Sequence, residues 1–175
     1  MRKKALILTW EKFQDHEVIY PFYALQEHGY EVAVAASAEG ERINGILGAH
    51  VYSDFNAEIL CQDDVPDYDL LCIPGGVKAL EKLRLLVGPV EFVKEWFKQD
   101  KQTMVICNGP QLLITADVLS GRTCSGYYSI EPDIKNAGAE YHRTPIVDGN
   151  MVSCAHYDDM GEWMRLAMET FNPKT

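Results

Sequence analysis

The chain alternates short, wholly apolar runs with longer stretches whose apolar residues recur every three or four positions. KALILTW (4–10), YEVAVAA (30–36), DLLCIPGG (69–76) and TMVIC (103–107) are runs of the first kind. Apolar side chains on both faces predict strands buried in a sheet that is covered on both sides. Residues 15–28 (DHEVIYPFYALQEH), 78–86, 89–100 and 110–119 carry helical spacing instead. Gly29 is a stop signal after the first helix, and Gly88-Pro89 separates the next two. Residues 37–66 are less regular, with Gly40, Gly45 and Gly48 marking turns between short strands. GRTCSGYY carries a short strand, 129–137 a short helix, and 145–154 a strand pair turned at Asp148-Gly149-Asn150. A closing amphipathic helix is predicted over 160–171, with Asp159 and Glu162 at capping-box spacing, and residues 172–175 are expected to fray.

Strands alternating with helices predict an α/β sandwich around a mostly parallel sheet. The 175 residues suffice for one domain, taken as 1–175. Ligands of such sheets sit beyond the carboxyl ends of the strands. Three features fall there: Trp10, Gly75-Gly76, and Cys107-Asn108-Gly109. The last is chemically the sharpest. A thiol between a strand and a helix is lifted by the turn, as in a nucleophile elbow, and is expected to meet solvent. The free N–H groups and dipole of the following helix favour thiolate, so a lowered Cys107 pKa is expected. The same N–H groups could hold an oxyanion, and Gly109 lets the backbone pass close beneath the sulfur. The other cysteines, at 61, 72, 124 and 154, read as packing residues.

Charge narrows the partners. Sixteen basic against 26 acidic residues give a net charge of −10, which argues against nucleic acid and against an anionic membrane surface. No run approaches the ~20 apolar residues of a membrane span. The N-terminal ALIL is too short for a signal peptide and meets Trp10-Glu11-Lys12 directly. Five cysteines without C-x-x-C or Cys/His spacing suggest free thiols in a reducing cytoplasm, with no metal and no cofactor.

VICNGPQLLITADVLSGR resembles the cysteine elbow of the ThiJ/PfpI superfamily, which carries an A-x-C-H-G-P-x-x-L type of run. FQDHEVIYPFYALQEHGYEVAVAA, DLLCIPGG, YYSIEPDIKNAGAEY and VDGNMVSCAHYDDMGEWM are similar to the PfpI branch and extend the likeness over most of the chain. The resemblance implies a flavodoxin-like three-layer α/β sandwich and a homodimer or higher homo-oligomer. It implies that Glu17, in D-H-E-V-I-Y-P, hydrogen-bonds the thiol of Cys107. A carboxyl beside a thiolate should have a raised pKa and stay protonated, ready to pass a proton.

The chain also departs from that pattern. Asn108 stands where protease-like members carry histidine. Glu81 matches their third member, an acid contributed across a subunit contact, only with one inserted residue. Tyr127, beside Tyr128, occupies the place where another branch supplies a histidine. His156 follows the last strand and His16 precedes Glu17, so both are accessory candidates; Trp10 and Tyr20 could wall a pocket above the thiol. The leading expectation is a hydratase or hydrolase of a small electrophile. Cys107 is its nucleophile and Glu17 its acid/base, with Gly76, Asn108 and Gly109 around the oxyanion. Isonitrile hydration is the nearest chemistry that the resemblance implies for a Cys–acid site without histidine, although that branch usually has aspartate at the helper position. One alternative is a non-enzymatic oxidative-stress sensor working through Cys107 oxidation. Another is a glutamine amidotransferase-like subunit, for which C-N-G-P-Q and the pair His156/Asp158 speak.

Overall fold

The structure is a computed structural model that describes residues 2–172. Its first half runs β1 (Lys4–Leu8), α1 (Asp15–Glu27), β2 (Glu31–Ala36), β3 (Arg42–Asn44), β4 (His50–Tyr52), β5 (Phe55–Asn56), β6 (Leu70–Ile73), α2 (Val77–Leu83) and α3 (Val87–Lys98). The second half runs β7 (Gln102–Ile106), α4 (Pro110–Thr115), β8 (Thr123–Ser125), α5 (Glu131–Asn136), β9 (Glu140–His142), β10 (Ile146–Asp148), β11 (Met151–Cys154) and α6 (Met160–Phe171). The main sheet has the order β10-β11-β7-β6-β1-β2-β5, and every pair in it is parallel except β10 with β11. Helices around this mostly parallel sheet make the fold flavodoxin-like. No helix among the described residues is long and apolar enough to cross a membrane.

The apolar runs lie where their pattern put them. β6 and β11 are buried along their whole length, and β1 and β7 are buried beyond their first residue. The largest buried rings, Trp96 and Trp163, keep their indole N–H groups satisfied, donating to Thr103 Oγ1 and the Val152 carbonyl at 3.0 Å each. The hairpin turn at 148–150 forms with Gly149 at φ 57°.

Five expectations need correction. Gly88-Pro89 does not separate two helices but lies in the first turn of α3, which starts at Val87, where a proline has no helical N–H bond to lose. The helix from Pro110 stops at Thr115, not 119, because Asp117 takes a left-handed conformation (φ 56°) that a helix cannot continue through. The predicted helix 129–137 divides into a 3-10 turn at Tyr128–Ile130 and α5. Asp159 makes no side-chain cap on α6, since it already ends a 3-10 turn running from Tyr157. Asn172 does not fray: its side chain takes the Lys3 ammonium at 2.6 Å and donates to the Tyr30 hydroxyl at 3.1 Å. The expected fraying of 173–175 lies outside the described residues.

The irregular segment 37–66 holds a two-stranded ribbon, β3–β4, that stands apart from the main sheet. Its turn is tied to α1 by Asp15, a buried carboxylate that accepts backbone N–H groups from Leu47 (2.8 Å) and Ala49 (2.7 Å). A Cβ on Gly45 would lie 2.5 Å from the same carboxylate, so the turn closes over it only because position 45 is bare. Asp15→Ala should remove two part-buried hydrogen bonds to a charged acceptor and cost about 1–2 kcal/mol, read as a lower urea midpoint at unchanged slope; an unchanged midpoint would show that the ribbon needs no anchor.

Candidate active site

β7 ends at Ile106 and the chain turns at once. Cys107 has φ 59°, a left-handed conformation that a non-glycine residue holds only under constraint. The constraint is visible: the Cys107 N–H donates to the Cys154 carbonyl (2.9 Å), its carbonyl accepts from the Tyr127 N–H (2.7 Å), and the Gly109 N–H closes onto Ile106 O (2.8 Å). Gly109 is required, because a Cβ there would stand 2.5 Å from the Ile73 carbonyl. The elbow is thus wedged between β6 and β11.

Across from it, Glu17 projects from the first turn of α1 and is fully buried. Its Oε2 accepts the Gly75 N–H at 2.7 Å. Oε1 has no hydrogen-bond partner in the structure. Gly75 marks where the carboxyl and the thiol meet: a Cβ on it would run into Glu17 Oε2 and would lie 2.7 Å from Cys107 Cβ and 3.0 Å from Sγ. The backbone N–H groups of Gly76 and Asn108 reach the sulfur. Gly76 itself (φ 105°) is packed under residues 12–14, where a side chain would strike Lys12 O and Gln14 N. Pro21, four residues after Glu17, has no N–H to give the Glu17 carbonyl, so α1 lacks that helical bond at the functional turn.

Burial governs the charges. Glu17 is pushed from 4.5 up to about 7, mainly by desolvation and against the Gly75 N–H. The Cys107 thiol is pushed up as well, by burial and then by the Glu17 carboxylate, while the Asn108 and Gly76 N–H groups pull the other way. The expected lowering is therefore reversed for a thiol facing an ionised Glu17. Each group opposes the other's charge, so the pair does not carry two negative charges near neutral pH. The sulfur is also far less open than a lifted elbow suggests: Cys107 is 8% exposed. The Gly75 turn and Glu17 pack onto it. Cys72, Cys124 and Cys154 are buried, with thiols pushed upward by desolvation, as packing residues should be. Cys61 is exposed, contrary to its reading as a packing residue.

The remaining candidates separate. Asn108 is buried, and its amide oxygen lies 3.4 Å from Cys107 Sγ. Tyr127 is joined to the elbow by its main chain. Neither His16 nor His156 hydrogen-bonds the sulfur. They belong instead to a series of rings: His16 stacks on Tyr157 (4.6 Å), Tyr157 meets His156 (4.0 Å), and Tyr127 and Tyr128 follow at 6.2 and 6.3 Å from His156. Arg143 covers Tyr128 at 4.3 Å. His156 Nδ1 does approach Asp158 (3.2 Å), yet the acid at the sulfur is Glu17. Glu81 is exposed and pairs with Lys78 at 3.0 Å. Trp10 is half-buried under the Lys82 ammonium, 5.5 Å from its ring. Tyr20 lines a cavity of about 570 Å³ with Asp15, His16, Ile19, Leu47, Ala49 and Met160, which does not include Cys107. Sequence reasoning placed Gly75-Gly76 at a strand end but assigned Gly75 no part beside the thiol, and it passed over Asp15.

A cysteine elbow on a flavodoxin-like sheet, with a buried glutamate at the sulfur, defines the class. Comparison with known proteins narrows it. Residues 3–170 match the model of the DJ-1/PfpI family, and the chain belongs to that family. It is 41% identical to Deglycase PfpI of Pyrococcus furiosus over 164 residues, 93% of this chain and 95% of that one. It is 38% identical to General stress protein 18 of Bacillus subtilis over 156 residues, 87% and 84% of the two chains. Among solved structures, a two-domain protein of Anabaena variabilis with DJ-1/ThiJ/PfpI-like and ferritin-like domains superposes with TM-score 0.89 at 32% identity. That match covers 96% of this chain and 48% of the Anabaena chain, about half its length.

The raised Glu17 value makes a stability prediction. Between pH 4.5 and about 7 the native chain keeps a proton that the unfolded chain has released. The stability from this group is complete below pH 4.5 and lost as pH rises through 7. Glu17→Gln keeps an acceptor for Gly75 and does not titrate. Chemical denaturation should show wild type losing up to about 3 kcal/mol relative to this variant between pH 5 and pH 8; a constant difference would mean that Glu17 is ionised throughout.

Proposed function

We propose that this protein is a cysteine-dependent enzyme that hydrates or hydrolyses a small electrophilic substrate, with Cys107 as nucleophile and Glu17 as acid/base. One observation carries the reading: a thiol and a protonatable carboxyl meet at Gly75, with two backbone N–H groups on the sulfur. In the reactive form Glu17 is protonated and the sulfur is thiolate. The sulfur adds to an electrophilic carbon, and the electron pair displaced onto the substrate's nitrogen or oxygen takes the proton from Glu17. Glu17, now carboxylate, removes a proton from water as the water attacks the same carbon. The C–S bond then breaks, its electron pair returns to sulfur, and the proton stays on Glu17. For an isonitrile it is the carbon that takes the Glu17 proton as sulfur adds, giving a thioimidate. Water then adds to that carbon, its remaining proton passes to nitrogen as the C–S bond breaks, and the sum is one water added to give the N-formamide.

The relatives named deglycases favour an oxygen-bearing carbon as the electrophile. The reading places the protein in the cytoplasm as a homodimer or higher homo-oligomer. Exposed Tyr23, Ile46 and Leu47, on α1 and the neighbouring ribbon turn, support self-association. A second reading, a stress sensor oxidised at Cys107, is favoured by the similarity to General stress protein 18 and by an acid positioned to hydrogen-bond an oxidised sulfur.

The test is a turnover screen with isonitriles, dicarbonyls, small esters and glycated amino acids, in a Cys61→Ser background that removes the exposed thiol. Cys107→Ser should abolish turnover, and Glu17→Gln should lower kcat by about 10² or more. Turnover surviving in Cys107→Ser would overturn the enzyme assignment. Selective peroxide oxidation of Cys107 with no turnover of any substrate would establish the sensor.

A further inference from the structure

We infer that the Asn108 side-chain amide is the non-titrating partner of the Cys107 sulfur, accepting from the thiol and, turned over, donating to the thiolate. The inference rests on Cys107 being the reactive thiol, as proposed above. Asn108 is 4% exposed, and its Oδ1 lies 3.4 Å from Sγ. In that orientation the amide suits S–H, because an oxygen can only accept. Rotation by half a turn about its last bond presents Nδ2–H to the same point, which suits S⁻. The amide therefore follows the charge on sulfur without gaining or losing a proton.

Every other group that bears on the sulfur is accounted for. From α1 comes Glu17, the one titratable side chain coupled to it; from the β6–α2 turn and the elbow come the Gly76 and Asn108 N–H groups. Cys72 on β6 and Cys154 on β11 are buried and pushed upward. His16 is stacked on Tyr157, and His156 is held among Tyr157, Tyr127 and Tyr128 with Asp158 at its Nδ1. Glu17 is thus the one side chain coupled to the sulfur that can hand over a proton. Asn108 stabilises negative sulfur but cannot protonate a leaving group. That arrangement suits additions in which one proton passes from carboxyl to substrate and back.

The experiment is the pH profile, from 5 to 10, of iodoacetamide alkylation at Cys107, read by peptide mass spectrometry so that Cys61 is counted separately. Wild type should show one titration limb, moved by Glu17→Gln. Asn108→Asp should place a second negative charge against the sulfur, raise the midpoint and slow the reaction at pH 7 by about tenfold or more. Asn108→Ala should slow it by about threefold to tenfold, and Asn108→His should add a second limb between pH 5 and 8. Near-UV circular dichroism checks each fold, and Asn108→Ala carries the test if Asn108→Asp does not fold. Asn108→Ala and Asn108→Asp profiles that superimpose on wild type, or a wild-type profile with two limbs, would overturn the inference. Because the readout is alkylation, it stands apart from turnover. Activity retained in Cys107→Ser would remove the enzyme assignment and leave the alkylation profiles to decide the role of Asn108.

Discussion

The site depends on one constraint: a carboxyl and a thiol are buried against each other with less than two charges' worth of solvation. Glu17 has a single backbone donor on one oxygen and none on the other. Cys107 has two backbone N–H groups and an amide. That environment supports one negative charge and not two. Retention of protons up to neutral pH is the direct result, and the surrounding backbone holds the two groups in place. The left-handed elbow and the bare positions at Gly75 and Gly109 bring main chain closer than ordinary packing allows.

The sheet was legible because four of its strands are buried on both faces, and continuous apolar runs such as DLLCI leave little else for the chain to do. β3, β4 and β5 were not resolved as elements. They are two or three residues long and partly exposed, so their residues carry no run and no alternation. Cys107 announced itself by a strand, a small turn and a helix in succession. Glu17 did not: an acid in the first turn of a helix looks like a surface residue, and only the family resemblance singled it out. Its burial is a tertiary fact, created by a glycine turn 58 residues away. The exposure of Cys107 was misjudged for the same reason, since what covers it comes from α1 and the β6–α2 turn.

The histidines show a different limit. His16 and His156 sit close in sequence to Glu17 and to the last strand, and proximity made them candidates. In the fold they stack with tyrosines, in a series that ends at Arg143 over Tyr128. Their rings fill space along one rim of the strand ends, and the titratable side chain at the sulfur is a carboxyl. The aromatic rim is a property of shape and polarisability, which no spacing along the chain expresses.

The latch between Lys3 and Asn172 ties the two ends of the described chain together where β1 begins, whereas the elbow lies where the parallel strands finish. Anything joined to either end therefore departs from the far side of the sheet. The domain can be grafted onto another body without shadowing the elbow, an architecture consistent with a similar domain being carried beside a ferritin-like one in Anabaena.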